Sequence, residues 1–171
     1  MIVVLLKTPL DAGAVKKLRA GDVVFLSGVM FTARDQATRR LIAKSNAIPK
    51  NSVVYHCGPL VKKRGGKLVL VSAGPTTSSR MNALLPALIA KCGVRAIIGK
   101  GGVSEEVVRA MHGKCVYLAA VGGAGALYAK QLRVRGVKWL DLGEPEALWT
   151  LEAKNFGPLV VAVDSAGKTL Y

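Results

Sequence analysis

Short apolar runs alternate along the chain with loops rich in glycine or hydroxyl residues. The runs predict strands at residues 2–6, 22–27, 52–55, 68–72, 94–98, 116–121 and 159–163. Helical signals predict helices from Thr32, over 80–91, from Ser104, over 126–132 and over 145–152. Strand, loop and helix recur in this order three times in the middle of the chain. The pattern predicts an α/β fold, with a mostly parallel sheet and flanking helices, in a single domain over 1–171.

Turn and cap residues set the boundaries of these elements. Gly28 is expected to end the second strand. Thr32, followed three residues later by Asp35, forms a variant of the capping box at a helix start. Gly93 suits the position just after a helix. The basic run 62–67 predicts a turn between two strands.

Positive charge is concentrated in one part of the chain. The 171 residues contain 25 Lys and Arg against 10 Asp and Glu, a formal net charge of +15. Between Asp35 and Glu105 there are 12 basic residues and no acidic ones. A field of this sign attracts phosphates, carboxylates, nucleic acid or an acidic partner. Many of these side chains also fit an ordinary solvated surface, so charge alone does not choose among the partners.

The composition argues against several classes of protein. Aromatic residues make up 5% of the chain, too few for a stacking platform that binds single-stranded nucleic acid. The N-terminal apolar run is too short to span a membrane and lacks the basic start of a signal peptide. Cys57, Cys92 and Cys115 form no C-x-x-C pair and predict free thiols in a cytoplasmic protein. His56 and Cys57, as neighbours on a strand, are expected to face opposite sides rather than form a catalytic pair.

Two loops that follow predicted strands carry the candidate chemistry, because ligands gather at the carboxyl ends of parallel strands. Loop 74–80 places four hydroxyl residues before Arg80, whose guanidinium can bind a carboxylate through two hydrogen bonds. A hydroxyl there could transfer a proton if a neighbour or the substrate activates it. In loop 99–102, Lys100 lies among glycines that let a ligand approach the main chain. The alternative is that these residues are helix caps and ordinary exposed cations, as is Arg34 at another helix start.

The chain lacks features that a complete site of a familiar kind would need. Lys100 does not lie in a Walker A loop, and residues 122–125 lack the third glycine of the dinucleotide fingerprint. Residues 122–125 are therefore expected to pack a strand closely against a helix. The acid-free stretch offers no carboxylate for proton transfer, and three dispersed cysteines do not make an iron–sulfur ligand set. The cations and these gaps together predict half of an active site, completed by another chain.

The loops, in this order, closely resemble the β subunit of class I iron–sulfur fumarate hydratases. The same module is the C-terminal part of single-chain enzymes of that class and the β subunit of L(+)-tartrate dehydratase. The resemblance rests on Lys7-Thr8-Pro9-Leu10, Phe31-Thr32-Ala33-Arg34-Asp35, Gly74-Pro75-Thr76-Thr77-Ser78-Ser79-Arg80-Met81, Ile98-Gly99-Lys100-Gly101-Gly102, Val121-Gly122-Gly123-Ala124 and Glu146-Ala147-Leu148-Trp149. The threonine loop with its Arg-Met, twenty residues before Lys-Gly-Gly, is the most specific part. Asn82 departs from the family, which often has Asp or a similar residue there.

The resemblance implies a swivelling β/β/α domain in an enzyme that adds or removes water across a C4 dicarboxylate. Hydration of fumarate to L-malate is the expected reaction, with dehydration of L(+)-tartrate as the alternative. A partner α subunit is expected to hold a [4Fe–4S] cluster through its own cysteines, so that this chain does not ligate the cluster. The expected assembly is a heterotetramer of two α and two β subunits.

The resemblance also assigns roles to individual residues. Arg34, Arg80 and Lys100 are expected to bind the substrate carboxylates. Thr76 is expected to abstract the proton with the help of an acidic residue of the α subunit. Thr77 and Gly101 are expected to support the site.

Two functions of other classes stay open on the sequence. One is a basic module that binds phosphate or nucleic acid, although the few aromatics and the absence of a recognition motif argue against nucleic acid. The other is a scaffold that only docks an acidic subunit. Replacing Arg80 or Lys100 separates the scaffold from the enzyme, because only in the enzyme should turnover fall.

Overall fold

A computed structural model describes residues 2–171, so Met1, with which the predicted domain 1–171 begins, lies outside the described residues. The strands within residues 2–171 are β1 (Val3–Lys7), β2 (Val23–Thr32), β3 (Val53–Tyr55), β4 (Leu60–Arg64), β5 (Lys67–Ser72), β6 (Ala96–Gly99), β7 (Val116–Ala120), β8 (Leu132–Lys138) and β9 (Leu148–Val163). The helices are α1 (Ala12–Lys17), α2 (Asp35–Ala43), α3 (Leu85–Cys92), α4 (Glu105–Met111) and α5 (Gly125–Lys130). The predicted combination of a sheet with flanking helices is confirmed. Among residues 2–171, no helix is long and apolar enough to cross a membrane.

The main sheet is mixed. Strands β1, β2, β3, β6 and β7 lie side by side in that order and are parallel, as the alternating pattern predicts. The long β9 runs antiparallel to β2, β7 and β8, so the predicted mostly parallel sheet is parallel only across the first five strands. Because β9 also joins β7 back to β2, the strands β2, β3, β6, β7 and β9 form a closed ring. Strands β4 and β5 form a separate hairpin.

The apolar residues form two cores: an inner core within the ring of strands, to which α1 and α5 contribute, and an outer core between the ring and helices α2, α3 and α4. On β3, Val53 and Tyr55 face the inner core, whereas Val54 between them faces the outer core. On β6, Ile98 faces the inner core and Ile97 faces the outer core. Successive side chains on a strand point to opposite faces, and here both faces are covered. These strands therefore read in the sequence as unbroken apolar runs.

Strand β2 is longer than the predicted strand at 22–27, because Gly28 does not end it. Gly28 has a φ of 107° and lies where the pairing between β2 and β9 shifts register, so it forms a bulge within the strand. A side chain at this position would overlap the hydroxyl group of Thr8 in the turn after β1. The strand continues to Thr32 and so carries Arg34 to the carboxyl edge of the sheet.

Helix α2 does not begin with a capping threonine as predicted. Its N-cap is Arg34, and Thr32 is the last residue of β2. The buried Thr32 hydroxyl donates to the carbonyl oxygen of Ala147 at 3.4 Å and accepts from the N–H of Trp149 at 3.1 Å. Thr32 therefore joins β2 to the start of β9 instead of starting a helix.

Helix α3 begins later than the predicted helix over 80–91. Ser78–Met81 form a 3-10 turn, and α3 begins at Leu85, with Pro86 in its first turn. The helix ends at Gly93 as predicted, in the left-handed conformation with a φ of 63°. The late start leaves a long connection after β5 that can cross the edge of the sheet.

The predicted helix over 145–152 is wrong. Glu144–Glu146 form a single 3-10 turn, and residues 148–163 form β9, of which the predicted strand at 159–163 is only the last part. Strand β8 is not predicted by the sequence pattern either. Gly157 and Pro158 lie within β9 where its pairing with β2 shifts register. Pairing of the flanking residues Phe156 and Leu159 with β2 keeps β9 extended through this irregularity.

Candidate functional site

The candidate site lies where the connection after β5 crosses the carboxyl ends of β3 and β6. The N–H of Thr76 donates to the carbonyl oxygen of His56 at 2.7 Å, and the N–H of Lys100 donates to that of Thr76 at 3.2 Å. The N–H of Ser78 in turn donates to the carbonyl oxygen of Lys100 at 3.0 Å. Residues 75–78, called here the threonine segment, therefore lie between the extensions of the two strands like a short added strand.

A buried hydrogen-bonded network lies behind the threonine segment. Ser78 Oγ lies 2.8 Å from His56 Nδ1 and accepts from the hydroxyl group of Tyr117 at 2.9 Å. All three side chains are fully buried. A methyl group at Gly99, the last residue of β6, would overlap Ser78 Oγ and lie 3.2 Å from the Tyr117 oxygen. The network fits because position 99 carries no side chain.

His56 is neutral at physiological pH. Burial lowers the pKa of His56 from 6.5 to about 3, and the negative charge of Asp35 acts weakly in the opposite direction. Its Nε2 is buried without a hydrogen-bond partner among the described residues. Cys57 belongs to the inner core, where burial raises the pKa of its thiol to about 12. The prediction that His56 and Cys57 do not form a catalytic pair is confirmed.

The lowered pKa of His56 predicts an acid-dependent loss of stability. Between pH 6.5 and about pH 3 the unfolded chain binds a proton at this residue that the folded chain does not. The free energy of unfolding should therefore fall by about 1.4 kcal/mol per pH unit in this range. The contribution is complete above pH 6.5 and is lost as the pH falls. Denaturant unfolding at pH 7 and pH 5 should show a loss about 2 kcal/mol larger for wild type than for His56→Asn, and equal losses would contradict the account.

Arg34 lies at the carboxyl end of β2 and is paired with an acid from another part of the chain. Its Nε lies 3.3 Å from Oε1 of Glu146, and the other oxygen of Glu146 accepts from the N–H of Gln36 at 2.8 Å. A methyl group at Gly58, just after β3, would lie 2.7 Å from Nη1 of Arg34. The guanidinium is therefore held between the start of α2 and the main chain after β3.

Arg80 follows the threonine segment and is also paired. Its Nη2 donates to Asp35 Oδ2 at 2.8 Å, although half of the arginine side chain is exposed. An exposed ion pair of this kind contributes about 0–1 kcal/mol to stability. The pair fixes the direction of the guanidinium more than it stabilises the fold. An arginine has five N–H donors, so both paired arginines keep donors free for a ligand.

Lys100 differs from the two arginines. Among the described residues, no carboxylate lies within 4.0 Å of its ammonium group. Its stem lies beside the loop after β7, where a methyl group at Gly122 would be 3.7 Å from Lys100 Cδ. The carbonyl oxygen of Gly101 accepts from the hydroxyl group of Tyr171 at 2.9 Å, which holds this loop from the other side. The loop presents an exposed, unpaired cation beside the threonine segment.

The residues present do not fit an iron–sulfur cluster or a metal ion. Among residues 2–171, no three His, Cys, Asp or Glu side chains are grouped closely enough to hold a metal. Cys57 lies in the inner core, whereas Cys92 and Cys115 lie in the outer one. Burial raises the pKa of all three thiols, which disfavours the thiolate that binds iron.

The comparison with known proteins covers the full chain. The family model described as Fumarase C-terminus matches residues 1–171. The chain belongs to this family. It is 38% identical over 173 residues to the L(+)-tartrate dehydratase subunit beta of Escherichia coli, covering 97% of this chain and 85% of that protein. The resemblance to the fumarate hydratase and tartrate dehydratase β subunits is thereby confirmed.

Two further relatives are named as a tartrate dehydratase subunit and as a fumarate hydratase. A Methanocaldococcus jannaschii protein, provisionally named L(+)-tartrate dehydratase subunit beta, is 48% identical over 166 residues, which are 92% of this chain and 85% of that protein. A Geobacillus stearothermophilus protein, provisionally named fumarate hydratase class I, is 38% identical over 174 residues. This match covers 99% of the present chain but 34% of that longer protein.

This member of the fumarase C-terminus family brings most of the predicted site residues to one edge of the sheet. Thr76, Thr77 and Lys100 lie side by side through main-chain pairing, and Gly101 follows directly. Arg80 is connected to them through the 3-10 turn that follows the threonine segment. Their roles toward a substrate stay predictions.

Arg34 reaches the same edge of the sheet from the end of β2 and the start of α2. Its side chain reaches Gly58, and the neighbouring Cys57 pairs with Pro75 at the start of the threonine segment. The predicted site therefore draws on the ends of β2, β3 and β6 as well as on the connection after β5. Its role toward a substrate also stays a prediction.

The sequence prediction missed the residues that support the site from behind and from the side. No sequence signal shows which hydroxyl in loop 74–80 faces inward, so Ser78 and its partners His56 and Tyr117 could not be found. The sequence pattern also assigns Asp35 and Glu146 no role toward the arginines. The scarcity of acids could have marked Asp35, since Asp11 and Asp22 are the other two acids in the first 100 residues.

Proposed function

We propose that the chain is the β subunit of a hydro-lyase that adds water to fumarate to give L-malate, acting together with an α subunit. Membership of the fumarase C-terminus family and the names of the relatives support this reaction class. One observation carries the proposal on this chain: the threonine segment is paired with the Lys100 loop at the carboxyl edge of the sheet. This pairing brings the main chain of the two threonines against that of Lys100, whose ammonium group has no carboxylate partner among the described residues.

The cations of the site suit a substrate with two carboxylates. Lys100 has no competing partner among residues 2–171 and supplies a full positive charge to one carboxylate. Arg34 and Arg80 keep free N–H donors, and their ion pairs with Glu146 and Asp35 fix where those donors point. The three cations together bind and orient a dianion of four carbons. Charge-assisted hydrogen bonds of this kind are about twice as strong as neutral ones.

The threonine hydroxyls lie next to the bound dianion in this proposal. Thr76 is the candidate proton-transfer residue: it gives a proton to the substrate carbon during hydration and takes it back from that carbon during dehydration. Thr77 lies beside it, and the glycine at 101 gives the substrate room. A threonine hydroxyl is a very weak base, so it needs a carboxylate to take its proton. The nearby Asp35 is bound to Arg80, and Glu146 is bound to Arg34. The resemblance implies that the assisting acid comes from the α subunit, and the engagement of both acids with arginines fits this expectation.

The same proposal extends to the assembly. The resemblance to iron–sulfur fumarate hydratases implies that the α subunit carries a [4Fe–4S] cluster, and the buried thiols of this chain are no ligand set for one. Two α and two β subunits form the heterotetramer, in which residues 1–171 act as one swivelling β/β/α domain. The three cysteines are buried and form no disulfide, which fits a protein of the reducing cytoplasm.

L(+)-tartrate dehydration is the second candidate reaction. It is favoured by two relatives named for it, at 48% and 38% identity. The carboxylate-binding cations would serve both substrates, because each is a C4 dianion. The two reactions differ at the carbon atoms between the carboxylates, which those cations do not contact.

The test is an assay of the chain with and without its partner. We expect the purified chain alone to be inactive. When co-expressed with a cluster-bearing α subunit and assayed without oxygen, it should form L-malate from fumarate or oxaloacetate from L(+)-tartrate. The faster reaction identifies the substrate. Activity of this chain by itself, or a reconstituted pair with an intact cluster that acts on neither compound, would refute the proposed function.

A further inference from the structure

Three fully buried polar side chains behind the threonine segment have no place among the groups that face a substrate. His56 follows β3, Tyr117 lies on β7 and Ser78 ends the threonine segment, so the network joins three separate parts of the chain. Burying a polar group costs free energy unless it is hydrogen-bonded. An apolar core at this place would fold as well. Three polar groups gathered there therefore indicate a role other than packing.

We propose that Ser78, His56 and Tyr117 are positioning residues that fix the threonine segment and so place the hydroxyl groups of Thr76 and Thr77 beside Lys100. The inference rests on the proposed function. It assigns no contact with the substrate to any of the three. They act through the main chain of the segment that they hold.

One assignment of the protons joins the three side chains in a continuous chain of hydrogen bonds. The Tyr117 hydroxyl donates to Ser78 Oγ, so the Ser78 proton is free to point at His56 Nδ1, 2.8 Å away. In the neutral tautomer that carries its N–H on Nε2, Nδ1 of His56 accepts this proton. In this arrangement Ser78 both accepts and donates. The side chain of Ser78 is therefore held from two strands at once.

The threonine segment has few other supports. Its main chain is held by the bonds of Thr76 and Ser78 to the flanking strand ends, and the side chains of Thr76 and Thr77 are partly exposed. Ser78 is the residue of the segment whose side chain is anchored in the core by hydrogen bonds. A shift of about 1 Å in a reacting group can lower a rate about 100-fold. Loss of the anchor should thus affect the reaction more than binding.

Removing one hydroxyl group tests the role in the assembled enzyme. Tyr117→Phe in the complex with the α subunit should lower kcat about 10- to 100-fold and change KM by less than about twofold. Tyr128→Phe is the matched control, because it removes a buried hydroxyl that accepts from the N–H of Val121 and has no bond to the threonine segment. His56→Asn, which keeps an acceptor near the place of Nδ1, should retain more activity than His56→Leu.

Amide hydrogen exchange on the full chain gives a readout that does not depend on turnover. In Tyr117→Phe, exchange at Thr76, Ser78 and Lys100 should become at least about 10-fold faster than in Tyr128→Phe. Unchanged exchange at these amides, or a kcat equal to that of Tyr128→Phe, would overturn the inference. A wild-type pair that acts on neither dicarboxylate would refute the proposed function, and the exchange measurement would still decide whether the network holds the segment.

Discussion

Replacing Lys100 by alanine is expected to lower kcat/KM of the assembled enzyme by about 100- to 1,000-fold. Lys100 is the site cation that has no carboxylate partner among residues 2–171, so its whole charge is available to the substrate. The side chain is exposed, and its removal leaves the core and the main-chain pairing of the loop intact. The free energy of unfolding should therefore change by less than about 0.5 kcal/mol.

The matched control for this variant is Lys91→Ala. Lys91 is also an exposed lysine, but it lies in the last turn of α3 and has no contact with the threonine segment. Steady-state kinetics of both variants with the wild-type α subunit measure the difference. Near wild-type turnover in Lys100→Ala would contradict the role of Lys100 and would favour a chain that only docks its partner. A similar loss in both variants would show that total charge, and not this site, determines activity.

The second large effect is expected from Gly99→Ala, which should lower the free energy of unfolding by about 3 kcal/mol. The added methyl group would overlap Ser78 Oγ and would lie 3.2 Å from the Tyr117 oxygen and 3.3 Å from His56 Nδ1. Overpacking of a core costs about 1–3 kcal/mol, and displacing Ser78 leaves buried polar groups without partners at a similar cost. Activity should fall as well, because the threonine segment must move with Ser78.

Gly136→Ala distinguishes this steric effect from a general intolerance of alanine for glycine in strands. Gly136 lies in β8, where an added methyl group would meet no atom within 4 Å. Neither glycine has a positive φ, so both substitutions are allowed by the backbone. Denaturant unfolding should leave Gly136→Ala within about 0.5 kcal/mol of wild type. Equal stability of Gly99→Ala and wild type would contradict the packing around Ser78.

The sequence predicts the parallel centre of the fold well and its antiparallel part poorly. The strands β3, β6 and β7 are covered by the inner core on one face and by the outer core on the other, so their local apolar runs carry the whole signal. Strand β9 is extended because it pairs with β2 and β7, which are far away in the sequence, as well as with the preceding β8. The local signal at Pro145 points to a helix start. Pairing with distant strands overrides it.

The same distinction applies to Gly28 and Thr32. From its sequence neighbours alone, Gly28 is predicted to end a strand and Thr32 to cap a helix. Each has a different role that depends on a distant residue: Gly28 makes room for Thr8, and Thr32 bonds with Ala147 and Trp149. A single sequence does not show such contacts.

The edge loops of the site could be located from the sequence, but their supports could not. Thr76, Arg80 and Lys100 belong to a motif whose order and spacing are visible along the chain. The ion pairs of Arg34 and Arg80 join residues 45 or more positions apart, and the network of Ser78 joins three elements. The sequence predicts three cations at the site. In the structure, one of them is an unpaired lysine and the other two are arginines held by ion pairs with acids.

Binding of a non-reacting C4 dicarboxylate tests most directly whether this edge of the sheet recognises the substrate. Succinate and the monocarboxylate butyrate are titrated calorimetrically into the complex that contains wild-type or Lys100→Ala β subunit. Succinate affinity should fall about 100-fold in the variant, whereas the weaker butyrate affinity should fall much less, since butyrate lacks one of the two charges. Equal succinate affinity in the two complexes would contradict the assignment of Lys100 and its loop as a carboxylate-binding part of the active site.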